Sequence, residues 1–166
     1  YIFFIIIPFK MALMKSTIFD VEEAITRIES GDHSLKTINL NRCRFSDFDL
    51  NELMDMIIEC PNSIENIDLS HNQLTNITGI KIAKIIRYKK IRILNLKSNN
   101  FGKTTFISIA RALQYNPTLI YIDLSYNFNN TVYGHDLDDI FDILENEFKR
   151  YIGLNKFRTQ ILEYLF

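Results

Sequence analysis

The chain has 166 residues, enough for one domain or a short array of repeats. Apolar residues make up 47% of it, which excludes wholesale disorder. A net charge of -1 argues against a nucleic-acid partner, because phosphate binding needs clustered Lys and Arg.

Residues 1–14, YIFFIIIPFKMALM, open the chain. Their apolar run is shorter than the roughly 20 residues that cross a bilayer. It also lacks a basic leader and a clear cleavage site. It reads as an apolar leader or a mis-assigned start, with Met11 or Met14 as alternatives, and no membrane partner is expected. Residues 15–34 read as an N-terminal capping helix. Ile18, Val21, Ile25 and Ile28 make one apolar face, Asp20 with Glu23 suits a helix start, and Gly31 suits its stop.

Four segments then align: LKTINLNRC from Leu35, IENIDLSHN from Ile64, IRILNLKSN from Ile91 and LIYIDLSYN from Leu119. Their starts are 29, 27 and 28 residues apart. The repeats accordingly span 35–63, 64–90, 91–118 and 119–146. Alternation predicts a short strand in each, with Ile38 and Leu40, Ile67 and Leu69, Leu94 and Leu96, and Ile122 and Leu124 pointing inward. Behind each strand, apolar residues at helical spacing predict a helix: Leu53, Ile57 and Ile58, then Ile82, Ile85 and Ile86, then Ile109, Ala112 and Leu113, then Leu137, Ile140 and Phe141. Gly79 and Gly134 fall where the second and fourth helices begin.

Asn72, Asn99 and Asn127 stand where each strand turns away, with Cys43 at that place in the first repeat. Asn carries both a donor and an acceptor, so these are read as structural positions that satisfy turn backbone. Cys43 is read as a small buried residue. The fourth repeat departs from the others, with Asn129 where Phe45, Leu74 and Phe101 stand and an acidic helix from Asp136 to Glu147. Residues 147–166, with Tyr151, Ile152 and Phe157, are expected to form a C-terminal helical cap.

The LxxLxLxx(N/C) pattern at this period resembles the ribonuclease-inhibitor class of leucine-rich repeats, from Leu35 to about Asn146. The resemblance implies an α/β fold: a right-handed solenoid, a horseshoe segment with a parallel concave sheet and convex helices. It also implies a non-enzymatic module that binds a partner protein on its concave face. Ile, Asn and Lys, whose codons are A/T-rich, are abundant. In this the chain resembles leucine-rich-repeat effectors of intracellular bacteria such as Legionella, and protist repeat proteins. A cytoplasmic location follows, or secretion into a host cell for an effector. VEEAITRIESGDHSLKTINLN also resembles the start of the tropomodulin repeat domain, which implies an actin-capping alternative. Activators of the Ran GTPase share the repeat class, which implies a GTPase-activating alternative. The chain could equally be the recognition part of a larger protein.

The sequence has no phosphate-cradling glycine loop, no HExxH, no GxSxG and no zinc-type Cys/His cluster. No enzyme activity, cofactor, metal or small-molecule substrate is expected, and the cysteines fit a reducing compartment. His33 follows the capping helix, His71 is placed on a strand and His135 begins a helix. Partner contacts are expected from outward strand positions: Arg42, Asp68, His71, Ile93, Lys97, Tyr121, Asp123 and Tyr126. Tyr and Arg are enriched among interface residues that carry binding energy. A monomer that binds one unidentified protein is the resulting expectation.

Overall fold

A computed structural model describes residues 17–18, 20–61, 63–127, 146 and 149–153. The expected leader, the fourth repeat's helix with Gly134, Leu137 and His135, and most of the C-terminal cap lie outside the described residues.

Strands and helices alternate: β1 (Thr17–Ile18), α1 (Val21–Glu29), β2 (Thr37–Asn39), α2 (Asp47–Glu59), β3 (Asn66–Asp68), α3 (Asn76–Tyr88), β4 (Ile93–Asn95), α4 (Lys103–Leu113) and β5 (Tyr121–Asp123). The strands form one parallel sheet in chain order. Ile38, Ile67, Leu94 and Ile122 are aligned partners across it. Parallel neighbours need a crossover connection, and each helix supplies one.

A single core runs between sheet and helices. Ile38, Ile67 and Leu94 from the strands meet Leu53, Ile57, Ile82, Ile86 and Ile109 from the helices. Each such side chain contributes about 1.5–3 kcal/mol on burial. Ile122 and Leu124 are half-buried, and Tyr151 and Ile152 pack against the same core.

Ile18 departs from the reading above. It lies in β1 beside Ile38, not on the capping helix. Asp20 caps α1, its side chain accepting the Glu23 N–H at 3.1 Å, so the helix cannot begin earlier. Gly31, with φ +69°, follows the end of that helix.

Two sets of side chains bind one repeat to the next. At the turns, Asn72 Nδ2 donates to the Leu40 carbonyl at 2.8 Å and the Leu69 carbonyl at 2.9 Å. Its Oδ1 accepts the Phe45 N–H at 3.0 Å. Asn99 does the same with Leu69, Leu96 and the Leu74 N–H, and Asn127 with Leu96, Leu124 and the Phe101 N–H. Cys43 is instead exposed, its thiol on the Asn41 carbonyl at 3.3 Å. Ahead of it β1 ends at Ile18 and α1 begins at Val21, and the Asp20 carbonyl there already accepts the Ala24 N–H at 3.1 Å.

At the helix starts the traffic runs the other way. Asp47 accepts from the Thr75 and Thr78 N–H groups at 3.0 and 3.1 Å and from both hydroxyls at 2.6 Å. Burial raises the Asp47 carboxyl pKa, but these four hydrogen bonds outweigh it and hold the group below the usual value. Asn76, one repeat on, accepts from the Gly102 N–H and from Thr105 in the same way. Lys103 occupies that position in the third repeat and has no acceptor to offer.

Gly79 lies inside the first turn of α3, buried against α4. A Cβ there would fall 2.0 Å from Thr105 Oγ1, so the two helices approach this closely only over glycine.

Candidate protein-interaction surface

Three-residue strands offer little surface singly, but their register assembles columns. The residues flanking each inward Ile or Leu face away from the helices. The first column is Thr37, Asn66, Ile93 and Tyr121, and the second is Asn39, Asp68, Asn95 and Asp123.

The first column passes from polar to apolar. Asn66 Nδ2 donates to Thr37 Oγ1 at 3.1 Å, whereas Ile93 and Tyr121 stand side by side, 41% and 47% exposed. The second column is internally tied. Asn95 Nδ2 donates to Asp68 Oδ2 at 3.1 Å, and Asp68 Oδ1 also accepts from the Ser70 N–H at 2.9 Å and hydroxyl at 2.6 Å. Ser70 itself is buried. Burial raises the Asp123 carboxyl pKa. Hydrogen bonds from the Ser125 hydroxyl and N–H, the Lys97 charge and the Tyr121 hydroxyl more than offset that and leave it below the usual range.

A third row lies beyond the strand ends. Arg42, His71, Ser98 and Tyr126 occupy equivalent turn positions with φ of 56°, 57°, 55° and 55°. Arg42, His71 and Tyr126 were expected on strands. The strands stop three residues earlier, and the chain reverses through a left-handed residue just before each Asn or Cys43. Backbone bonds join the row: Arg42 N–H to the Ser70 carbonyl at 2.9 Å, His71 to Lys97 at 2.8 Å and Ser98 to Ser125 at 2.9 Å. Tyr126 is 77% exposed, with Lys97 Nζ 5.0 Å from its ring centre.

Ile93, Lys97, Tyr121, Asp123 and Tyr126 are thus brought together on the third and fourth repeats. Asp68 joins them through Asn95, while Arg42 and His71 extend the turn row toward the first repeat. Sequence reasoning placed Asn95 and Ser125 on the outward face but left them out of the contact residues; they tie the carboxylates. The alternation Asn39, Asp68, Asn95, Asp123 was the available signal. A further row, Lys36, Glu65 and Arg92, pairs at 3.8 and 3.9 Å, but such exposed pairs add little stability. Among the described residues no cluster of His, Cys, Asp and Glu could hold a metal, and no helix is long and apolar enough to cross a membrane.

Residues 34–56 match the Leucine Rich Repeat family. No curated protein sequence matches the chain. Among solved structures it is similar to leiomodin-1 actin-binding site 2, with TM-score 0.68 and 18% identity over 87% of this chain and 95% of that one. It is also similar to the tropomodulin C-terminal domain of Caenorhabditis elegans, with TM-score 0.58 and 17% identity over 87% of this chain and 98% of that one. At these identities the likeness is one of fold: a leucine-rich-repeat-like α/β architecture, with helices alternating with the strands of one parallel sheet.

Proposed function

We propose that this chain is a protein-binding module, and that the outward face of β4 and β5 with the turn after β5 is its contact surface. In this reading the sheet is the concave side of a horseshoe segment. One observation carries it: Ile93, Tyr121 and Tyr126 stand exposed together beside a column whose carboxylates, Asp68 and Asp123, are tied to their neighbours. Apolar and aromatic side chains held by a rigid framework lose little freedom when a partner covers them. Lys97 and Asp123 supply charges at the edge of the patch.

The test is affinity capture with the wild-type chain, Ile93→Asp and Tyr126→Ala, identifying proteins that both variants lose. If both variants retain every wild-type partner, the surface lies elsewhere.

A second reading is actin binding. It is favoured by the similarity to a domain described as an actin-binding site of leiomodin-1. Co-sedimentation with filamentous actin and gel filtration with monomeric actin test it. Absence of binding in both removes it without touching the broader proposal.

A further inference from the structure

The outer, helical side of the molecule is divided by charge. Helix α2 carries Asp47, Asp49, Glu52, Asp55 and Glu59 and no cation. Helices α3 and α4 carry Lys81, Lys84, Arg87, Lys103 and Arg111 and no carboxylate.

The two grooves between these helices differ accordingly. Between α2 and α3, Lys81 reaches across and closes the gap, its Nζ 2.6 Å from Asp55 Oδ2 and 2.7 Å from Asn51 Oδ1. One repeat further on, the equivalents of Asn51, Asp55 and Lys81 are Ile80, Lys84 and Ser108. The bridging amine has become a short hydroxyl, which bonds back to the Thr104 carbonyl of its own helix at 2.7 Å. The carboxylate has become an ammonium. An open cleft of about 300 Å³ remains, bordered by Ile80, Lys84, Arg87, Tyr88, Ser108 and Arg111.

Arg87 is held there by aromatic rings, its guanidinium carbon 4.1 Å from the Tyr115 ring centre and 5.6 Å from that of Tyr88. Stacking leaves the edge N–H groups of a guanidinium free to bind a carboxylate in bidentate fashion. Among the described residues no acidic side chain forms an ion pair with Lys84, Arg87 or Arg111.

We propose that this cleft is a second docking site, on the side opposite the sheet, for an acidic peptide segment with an apolar side chain beside its carboxylates. The occupant supplies what Asp55 and Lys81 supply in the neighbouring groove: methylene groups to fill the gap and a charge opposite to that of the wall. The apolar side chain covers Ile80 and Tyr88, and the carboxylates meet Arg87, Lys84 and Arg111.

Fluorescence anisotropy of the full chain tests this with three labelled probes: a glutamate-rich peptide with a central Phe-Leu pair, the same peptide with Gln for Glu, and oligothymidylate. The expected result is saturable, salt-sensitive binding of the glutamate peptide, at least about tenfold tighter than that of the other two. Ser108→Glu fills the cleft from within and pairs with Lys84, so it abolishes that binding while the melting temperature holds. The double variant Arg87→Gln/Arg111→Gln loses it as well and serves if Ser108→Glu does not fold. Tyr126→Ala, on the other face, leaves it unchanged, which separates this site from the sheet surface. Absence of binding, equal binding of the Gln peptide, tighter binding of oligothymidylate, or full binding by folded Ser108→Glu overturns the proposal.

Discussion

The Asn99 side-chain amide donates to the Leu69 carbonyl of the preceding repeat at 2.9 Å, while its own oxygen receives the Leu74 N–H of that repeat at 3.1 Å. Asn99 is buried, so water cannot take over either bond. Asn99→Leu leaves these backbone groups unsatisfied and should cost about 3 kcal/mol in urea denaturation. Asn99→Asp should be no better, because a carboxylate oxygen then faces carbonyl oxygens. A loss below about 1 kcal/mol in both variants would mean that the turn repacks around the gap.

Gly79→Ala offers a contrast with helix propensity. In an exposed helix the change gains stability. Here the new methyl meets Thr105 Oγ1 at 2.0 Å and Cγ2 at 2.7 Å, so a loss of about 1–3 kcal/mol is expected. Thr105→Ala removes those two overlaps but leaves the Cβ contact at 2.8 Å. The double variant should therefore recover part of the loss, read as a favourable coupling in a double-mutant cycle.

Asp47 makes stability depend on acid. Its folded-state pKa lies below the ordinary 3.8, so the unfolded chain binds the proton more readily. The contribution is fully present above the ordinary value and is lost as pH falls through the lowered one. Asp47→Asn, which imitates Asn76 in the next repeat, should flatten this limb of the stability curve while retaining an acceptor for Thr78. Asp32, lowered to about 2 by hydrogen bonds from the Ser34 hydroxyl and N–H and by Arg27, adds a limb that Asp47→Asn leaves intact. Acid titration of thermal midpoints for both chains measures the difference.

His71 holds φ at 57° without being glycine. Asn tolerates that region better than His, so His71→Asn should raise stability by about 0.5–1 kcal/mol. Because the His71 side chain is exposed, little packing is lost. An unchanged or lower midpoint would show that the imidazole makes up for its backbone conformation.

Much of the architecture could be read from four aligned segments, because one spacing fixes inward side chains, turn asparagines and helix faces together. Ile18 was misplaced because Ile18, Val21, Ile25 and Ile28 fit helical spacing; Asp20, the cap, was the contrary signal. The strained turn at Arg42, His71 and Tyr126 was not legible, because none of these residue types requires a left-handed backbone. For the contact surface, the outward residues could be listed in advance but not their grouping. The tie from Lys97 to Tyr126 and the pairing of Ile93 with Tyr121 depend on side-chain directions and register. The open cleft beside Ser108 was visible in principle by setting Lys81 and Ser108 in the same column, once the reach of Lys81 was known.

The opposite directions of the two inter-repeat attachments govern how this chain could be shortened or rebuilt. Asn72 serves the repeat before it, and Asp47 serves the repeat after it. A cut between the first and second repeats would thus strip the turn of one stump and the helix start of the other. Protein engineers who splice such an array need to carry over both the turn asparagine and the helix-start acceptor at this junction, and transplanting a unit by strand and helix alone would leave both ends of the graft unsealed.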